Sequence, residues 1–442
     1  MHSFYISAAH KSSGKTTISL ALSQILSKKY QVQTFKKGPD YIDPIWLKFA
    51  SKNPCYNLDF YNMSHGEIKD LYYQNLQEIN IIEGNKGLFD GVSTLGGDSN
   101  ADLAQILDIP VILVIDCIGM TRGIAPLLQG YNNFDSTKIA GVILNKVGGS
   151  RHESKLINAV EEYTDLKVFG SVHKSKDLII NERHLGLKPA TEDRFAKQSI
   201  YKIANTIEKQ LDIQSILSAT KHLCEKVSLN NIQKNINKAS DITIAIAKDE
   251  AFGFYYADDL EKFSKNGAKI VYFDSFTAKK LPKCDGLFIG GGFPETNLEK
   301  LSNNKALLKD IKEKINNGLP TYAECGGMMY LAKSIDNIEM VGVIDGDIVT
   351  TSRPVGRGYM QIETQNHPWG VSGNFATHEF HYSKFNNLKD NNFAFKIKRG
   401  EGITGKFDGI VKYNMLATYT HQRSVGNNNW VVDFIKFIKK SN

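Results

Sequence analysis

A cysteine that lies between a short apolar run and two glycines is the first stretch of this chain that can do chemistry. The run ends at Cys325, Gly326 and Gly327 follow, and the pattern of Met328–Leu331 is helical. A strand, a sharp turn that carries a nucleophile, and a helix form a nucleophile elbow. The glycines let a substrate approach the backbone, and the helix N-terminus favours a thiolate over a thiol. The alternative is a buried core cysteine, because a free thiol behaves as a small hydrophobic group.

A thiol nucleophile needs a base and a site for the oxyanion. Three glycines, Gly290–Gly292, follow a strand-like run and place backbone N–H groups at an open sheet edge. They form either half of an oxyanion hole or only a tight turn. His421 is our first choice for the base, because it lies close after the apolar run 410–416. His378 and His381 are the alternatives.

The N-terminal region contains a phosphate-binding pattern. A β-rich run is followed by Ala-His-Lys-Ser-Ser-Gly-Lys-Thr-Thr at positions 9–17, and an amphipathic helical stretch comes next. In such a loop the backbone N–H groups and Lys15 bind phosphate oxygens, and Thr16 can ligate Mg²⁺. Ala9 replaces the usual first glycine, and an incidental turn is the alternative. The predicted ATP-binding residues of this loop are Ser12, Ser13, Gly14, Lys15, Thr16 and Thr17.

Acidic side chains follow the next strand-like runs. Asp40 and Asp43 lie on a loop bounded by glycine and proline, Glu83 ends another strand, and Asp90 lies on the loop after it. We predict that Asp40, Glu83 and Thr16 ligate Mg²⁺. Asp43 is predicted to meet the substrate or a second metal ion, and Asp90 is a further site residue. Asp40 and Asp43 can alternatively cap the next helix.

Strand-like runs alternate with helical patterns in both halves of the chain, which predicts an α/β fold. The first half is predicted to form a doubly wound parallel sheet with its site along the carboxyl edge of the strands. Asn145 and Arg183 are candidates on that edge, although either can simply fix a turn or a helix end. We predict a first domain over 1–225, a polar linker over 226–240 and a second domain over 241–442.

Composition limits the possible classes of protein. The 442 residues exceed one typical core, and 41% hydrophobic and 23% charged residues are ordinary for a soluble protein. No apolar run has membrane-spanning length and no leader pattern is present, so we expect a cytoplasmic enzyme. Five scattered cysteines favour a reducing compartment over disulfides or zinc. Lysines spread through helical segments do not indicate nucleic-acid binding.

Together these motifs resemble the cobyrinic acid a,c-diamide synthase family, whose members are ATP-dependent, glutamine-hydrolysing amidases of tetrapyrrole side chains. The resemblance covers nearly the whole chain in collinear order. It is carried by segments 12–17, 37–43, 83–91, 141–148, 290–295, 324–327, 378–383 and 417–421.

The resemblance implies that the second half is a class I (triad-type) glutaminase. Cys325 would attack the glutamine carboxamide, His421 would activate it, and N–H groups near Gly291, Gly292 and Gly326 would hold the oxyanion. The family usually continues Leu-His-Phe after the last histidine, whereas here the sequence is Gln-Arg-Ser. No acid follows at the two-residue spacing of other triad glutaminases, so we assign no third member.

The resemblance also implies that the first half transfers the γ-phosphoryl group of ATP to a substrate carboxylate. Its ATP site would contain Mg²⁺ and Asn145. Ammonia would then displace phosphate, and Asp43 and Asp90 would lie near the acyl acceptor or a metal ion. The expected substrates are ATP, glutamine and a tetrapyrrole carboxylate, with the a and c acetates of cobyrinate first.

Two kinds of alternative stay open at this point. Hydrogenobyrinate or a sirohydrochlorin- or sirohaem-type ring carries the same acetate groups, and the sequence does not indicate the ring, its central metal or the oligomeric state. A hypothesis of another class is a P-loop regulatory ATPase with a non-catalytic amidase-like domain.

Overall fold

A computed structural model of the chain describes residues 1–180, 182–183, 186–187, 196–221 and 241–441. The chain forms two compact units, Met1–Ile232 and Gln233–Asn442. The predicted linker over 226–240 lies outside the described residues. The predicted domain limits therefore stay predictions.

The first unit is built on a seven-stranded sheet in which every neighbouring pair is parallel. Its strands are β1 (His2–Ala8), β2 (Val32–Lys37), β3 (Cys55–Leu58), β4 (Ile79–Glu83), β5 (Val111–Asp116), β6 (Ile139–Val147) and β7 (Val168–His173). Their order is β3-β2-β4-β1-β5-β6-β7. The first strand in sequence is therefore central, with β4 and β5 as its neighbours, and β2 lies on the far side of β4.

Helices connect these strands, as parallel pairing requires. The described helices of this unit are α1 (Lys15–Leu26), α2 (Ile42–Ser51), α3 (His65–Gln74), α4 (Asn100–Ile106), α5 (Ile124–Asn133), α6 (Ser150–Tyr163), α7 (Ala196–Glu208) and α8 (Ile213–Ala219). A two-residue hairpin, β8 (Glu182–Arg183) with β9 (Gly186–Leu187), follows β7. The predicted doubly wound parallel sheet is confirmed.

Two features of the first unit differ from the sequence-based expectation. The sequence pattern over residues 168–190 predicts a loop at the carboxyl edge of the sheet, but Val168–His173 forms β7 at the end of the sheet order. Its apolar residues are interrupted by glycine and serine, which hides the strand pattern. Cys55–Leu58 forms β3, a four-residue strand that is too short for its periodicity to identify it.

The second unit contains a nine-stranded mixed sheet and smaller sheets. Its strands are β10 (Ile242–Ala247), β11 (Phe252–Phe254), β12 (Ala268–Phe273), β13 (Gly286–Ile289), β14 (Gly291–Gly292), β15 (Thr321–Glu324), β16 (Ala332–Ile335), β17 (Ile338–Glu339), β18 (Ile344–Thr350), β19 (Gly356–Thr364), β20 (Asn374–His381), β21 (Ser383–Asn386), β22 (Phe393–Arg399), β23 (Phe407–Lys412) and β24 (Met415–Thr418). The main sheet has the order β12-β10-β13-β15-β24-β23-β22-β19-β20.

Pairing changes from parallel to antiparallel across this sheet. Strands β12 to β24 in the sheet order pair in parallel, and β24 to β20 pair antiparallel. The helices are α9 (Ala257–Lys265), α10 (Leu298–Asn303), α11 (Lys305–Asn316), α12 (Gly326–Leu331) and α13 (Trp430–Ser441). The α/β class predicted for this half is confirmed. No helix within the described part of the chain is long and apolar enough to cross a membrane.

Candidate active site

The phosphate-binding pattern forms a tight loop between β1 and α1. Gly14 has a φ of 95° and directly precedes α1. A Cβ at this position would lie 2.1 Å from Asn145 Nδ2, which donates a hydrogen bond to the Ser13 carbonyl at 2.8 Å. Glycine is required here by both the positive φ and the close approach. Asn145 therefore holds the loop, and the N-terminus of α1 can face phosphate oxygens.

Lys15 is held over the loop by backbone carbonyls. Its Nζ donates to the Lys86 carbonyl at 2.5 Å and lies 3.5 Å from the His10 carbonyl. Burial, followed by repulsion from Lys36, lowers the pKa of Lys15 to about 8. An anionic phosphate would favour the charged form of this side chain.

Asn100 fixes the segment 85–87, in which the Lys86 carbonyl accepts the hydrogen bond from Lys15. Asn100 was not among the residues predicted from sequence. The Asn100 amide donates to the carbonyls of Asn85 and Gly87, both at 2.5 Å, and accepts from the Tyr5 hydroxyl at 2.9 Å. Asn100 opens α4, and Ser99 caps that helix in a capping box with Asp102. The sequence signal that could have indicated it is the capping pattern of Ser99 and Asp102, which marks the start of the helix that contains Asn100.

The predicted acidic residues meet at the carboxyl edge of the sheet. Thr16 Oγ1 donates to Glu83 Oε1 at 2.6 Å and lies 3.5 Å from Asp43 Oδ2. Lys36 Nζ donates to Asp43 Oδ2 at 2.5 Å and to Glu83 Oε1 at 2.9 Å. The four side chains Thr16, Lys36, Asp43 and Glu83 form what we call the acid cluster. Sequence analysis missed Lys36, which the register of β2 and β4 places opposite Glu83.

Asp40 caps the start of α2 and also faces the acid cluster. Its Oδ1 accepts from the backbone N–H groups of Ile42 at 2.8 Å and Asp43 at 3.1 Å. Its Oδ2 lies 3.9 Å from Lys36 Nζ. Burial and the Asp43 charge raise the pKa of Asp40 to about 7, whereas Lys36 outweighs burial and lowers the pKa of Asp43. Asp40 therefore satisfies two N–H groups in the first turn of α2, as the capping alternative describes, and its role as a Mg²⁺ ligand stays a prediction.

The donor set of the acid cluster fits Mg²⁺. Hydroxyl and carboxylate oxygens are the ligands that Mg²⁺ prefers, usually one or two carboxylates together with phosphate oxygens. Glu83 Oε2 is buried and has no hydrogen-bond partner within the described residues. No group of three or more His, Cys, Asp or Glu in that part of the chain is arranged to hold a metal ion. Phosphate oxygens would complete the ligand set.

Two predicted residues lie outside the acid cluster. Asp90 is exposed, and its Oδ2 accepts from the Gly87 N–H at 2.9 Å, which orders the loop beside Lys15. The backbone of Arg183 belongs to β8, and its side chain is outside the described part of the structure.

The acid cluster yields a stability prediction for Lys36→Met. This change leaves the buried carboxylates of Asp43 and Glu83 without their cation, so the free energy of unfolding should fall by about 3–5 kcal/mol. Urea unfolding with and without Mg²⁺ measures the effect, and Mg²⁺ should restore part of the loss. Lys28→Met, which removes an exposed pair with Glu208, should cost under about 1 kcal/mol. Equal losses in the two variants would contradict a buried charge cluster.

Cys325 occupies a strained turn between β15 and α12. Its backbone has φ 46° and ψ −106°, an unusual conformation for a residue other than glycine. Its N–H donates to the Thr418 carbonyl at 2.6 Å, which joins the turn to β24. Strain of this kind marks functional turns. The predicted nucleophile elbow is the local geometry observed.

Glycines around the elbow permit close backbone approach. A Cβ at Gly326 would lie 2.9 Å from the Gly292 carbonyl oxygen. A Cβ at Gly291 would lie 2.6 Å from His421 Cε1, and one at Gly327 would lie 2.1 Å from the Ile289 oxygen. The predicted glycines therefore lie together beside the predicted base.

His421 is the histidine that meets Cys325. Its side chain hydrogen-bonds the Cys325 side chain, and its Nδ1 lies 3.6 Å from Glu324 Oε2. Burial disfavours the imidazolium, but Cys325 and Glu324 outweigh burial and raise the pKa of His421 to about 10. A charged imidazole beside a thiol favours the thiolate. Glu324 does not stand out in the sequence, because the spacing of other triad glutaminases places the acid after the histidine.

The two alternative histidines have other contacts. His378 stacks on His421 at 4.9 Å between ring centroids, and burial, with repulsion from His421, lowers the pKa of His378 well below its usual range. His381 Nδ1 lies 2.9 Å from the Ser383 carbonyl oxygen, and its ring stacks on Tyr419 at 3.7 Å. Of the histidines with a shifted pKa in this region, His421 is the one on which Cys325 acts.

Comparison with known protein families divides the chain in the same way. Residues 6–186 match the model described as the CobQ/CobB/MinD/ParA nucleotide binding domain. Residues 243–429 match the CobB/CobQ-like glutamine amidotransferase domain. The phosphate loop and acid cluster lie in the first match, and Cys325 and His421 lie in the second.

Three relatives match this chain over almost its whole length, and each is named cobyrinate a,c-diamide synthase. The one from Magnetococcus marinus is 38% identical, over 98% of this chain and 96% of the relative. The one from Methanocaldococcus jannaschii is 38% identical, over 96% of both chains. The one from Picrophilus torridus is 40% identical, over 95% of both chains.

Proposed function

Because the chain belongs to the cobyrinate a,c-diamide synthase family, we propose that it amidates the a and c acetates of cobyrinate in cobalamin biosynthesis. Glutamine supplies the ammonia, and ATP activates each carboxylate. The observation that supports this proposal is that one chain contains two centres. The first is a phosphate loop beside the acid cluster, and the second is the Cys325–His421 pair. A carbon–nitrogen ligase of this type needs both centres.

Glutamine hydrolysis begins when the Cys325 thiolate attacks the carboxamide carbon. Backbone N–H groups near Gly291, Gly292 and Gly326 hold the oxyanion. The His421 imidazolium gives its proton to the departing nitrogen, so that ammonia leaves and a thioester forms. Water then cleaves the thioester and releases glutamate.

Amide synthesis takes place on the first unit. Lys15 and the N-terminus of α1 hold the outer phosphates of ATP. Thr16, Asp40 and Glu83 would hold Mg²⁺, which supplies positive charge to the phosphate oxygens. A carboxylate oxygen of the ring attacks the γ-phosphorus and ADP leaves. Ammonia then attacks the acyl phosphate and phosphate leaves, with Asp43 and Asp90 near the acyl acceptor.

The ring substrate is tested by mass spectrometry. The protein is incubated separately with cobyrinate, hydrogenobyrinate and sirohydrochlorin, together with glutamine, ATP and Mg²⁺. We expect two replacements of OH by NH₂ on cobyrinate, with the highest kcat/KM of the three rings. A higher kcat/KM for another ring would show that this ring is the preferred substrate, and the proposed amidation chemistry would stay the same.

The same assay separates this proposal from a regulatory ATPase. If ATP is hydrolysed without amide formation on any ring, and glutamine is not hydrolysed, the regulatory hypothesis is favoured. The proposed function also places the enzyme in the cytoplasm, where its small-molecule substrates ATP and glutamine are abundant. It requires neither nucleic acid nor a membrane.

A further inference from the structure

The residue directly before the nucleophile carries a buried carboxylate. Glu324 ends β15, pairs in register with Thr418 of β24, and is 2% exposed. A buried carboxylate is costly unless it is hydrogen-bonded or paired with a charge. Its contacts therefore indicate what it does.

The two oxygens of Glu324 have different partners. Oε1 accepts from the Tyr322 hydroxyl at 2.5 Å and from the Gln422 N–H at 2.9 Å. Oε2 faces His421 Nδ1 at 3.6 Å. Two hydrogen bonds, from Tyr322 and Gln422, therefore fix Oε1. Oε2 is directed at the imidazole of His421.

We propose that Glu324 is the positioning residue of the glutaminase, the third member of a triad with Cys325 and His421. Its Oε2 holds the imidazole with a proton on Nδ1, so that Nε2 is left to exchange a proton with the Cys325 thiol. This inference rests on the proposed hydrolysis of glutamine at Cys325. The acid precedes the nucleophile in sequence, in contrast to the downstream acid expected from other triad glutaminases.

The proton balance follows from this arrangement. In the resting pair the thiol proton already lies on His421 Nε2, which gives a Cys325 thiolate and an imidazolium, and the Glu324 carboxylate stabilises the imidazolium without accepting a proton. The same proton later passes to the nitrogen that leaves glutamine as ammonia. No other reactant is required.

The other charged or titratable groups near His421 do not replace Glu324. His378 stacks on the ring and is held neutral. Arg423 pairs with Asp258 at 3.1 Å and lies over the Tyr256 ring. Asp259 accepts from the Trp430 indole at 3.0 Å. Cys325 and Glu324 are the groups that raise the pKa of His421.

Glu324→Gln tests the inference with little change of shape. The amide oxygen can keep the two hydrogen bonds that Oε1 accepts, while the NH₂ group faces His421 Nδ1 and favours the wrong tautomer. We expect glutaminase kcat to fall on the order of 10²- to 10⁴-fold with a small change in KM. Amidation with ammonium salts should be retained, because that chemistry belongs to the first unit.

The pH profile separates positioning of His421 from a merely structural role. A raised pKa keeps His421 protonated at neutral pH, and the imidazolium is lost as pH rises through about 10. The alkaline limb of glutaminase kcat/KM should therefore lie near this pH in the wild type. In Glu324→Gln it should move to lower pH, because the carboxylate that favours the charged ring is gone. Glu324→Asp, which keeps the charge, should leave the limb close to its wild-type position.

A second buried Glu–His pair in the same unit provides the matched control. Glu379 Oε2 lies 3.4 Å from His381 Nε2, and Glu379 also accepts two backbone N–H groups. Glu379→Gln is the same substitution in a comparable pair, in which the carboxylate faces His381 and not His421. We expect the alkaline limb of glutaminase kcat/KM in Glu379→Gln to lie at the wild-type pH, even if this variant is less stable.

The outcomes distinguish this inference from the proposed function. An unchanged alkaline limb and kcat in Glu324→Gln, with Cys325→Ala inactive, would overturn the inference alone. The inference is also overturned if kcat falls in Glu324→Gln while the alkaline limb of kcat/KM keeps its wild-type position. A shift of this limb in Glu324→Asp as large as that in Glu324→Gln would overturn it too. If Cys325→Ala keeps glutaminase activity, the proposed function itself fails. Glu324→Asp provides the test if Glu324→Gln does not fold.

Discussion

Cys325→Ala should abolish amidation with glutamine and leave amidation with ammonium salts intact. Only the release of ammonia needs the thiolate, whereas carboxylate activation uses residues of the first unit. Loss of the nucleophile should lower glutaminase kcat at least on the order of 10⁴-fold. The measurement is the rate of ring amidation with each nitrogen source, together with glutamate release.

Cys284→Ala is the matched control for this variant. Cys284 is a half-buried thiol of the same unit, and burial raises the pKa of Cys284, which keeps it in the unreactive thiol form. The control should therefore amidate at the wild-type rate with both nitrogen sources. If Cys325→Ala left glutamine-dependent amidation unchanged, the assignment of the second unit as a glutaminase would be wrong.

Lys15→Ala should abolish amidation with either nitrogen source. Lys15 is the buried lysine of the phosphate loop, and its loss removes stabilisation of the charge that moves onto the phosphates. We expect a fall in amidation rate of at least on the order of 10²-fold. Parallel assays with glutamine and with ammonium chloride, each following ADP and amide, measure the effect.

Lys11→Ala, in the same loop, is the control because the Lys11 side chain is exposed. It should retain amidation within a few-fold, and the glutaminase activity of Lys15→Ala without ATP should persist. Amidation with ammonia that survives in Lys15→Ala would show that ATP is not used as proposed. This variant and Cys325→Ala thus separate the two centres by their response to ammonia.

Local chemistry explains why much of this protein is predictable from sequence. The phosphate loop depends on a glycine with positive φ directly before a helix, and both features are contiguous in the chain. The elbow at Cys325 is also contiguous, since strand, turn and helix follow each other within a few residues. The α/β class and the central parallel strands follow from alternating patterns of buried runs and helices. Sequence alone therefore determined the two centres and their order.

Tertiary structure decided what depends on contacts between distant segments. Strand register places Lys36 opposite Glu83, so a lysine of β2 neutralises carboxylates that the sequence presents as free metal ligands. Three histidines were candidates for the base, and only the pairing of segments shows that His421 contacts Cys325. Glu324 faces that histidine from 97 residues earlier, a contact that spacing rules for an acid after the base cannot find. Sequence determines side-chain chemistry and local turns, whereas partners across a sheet are set by register and packing.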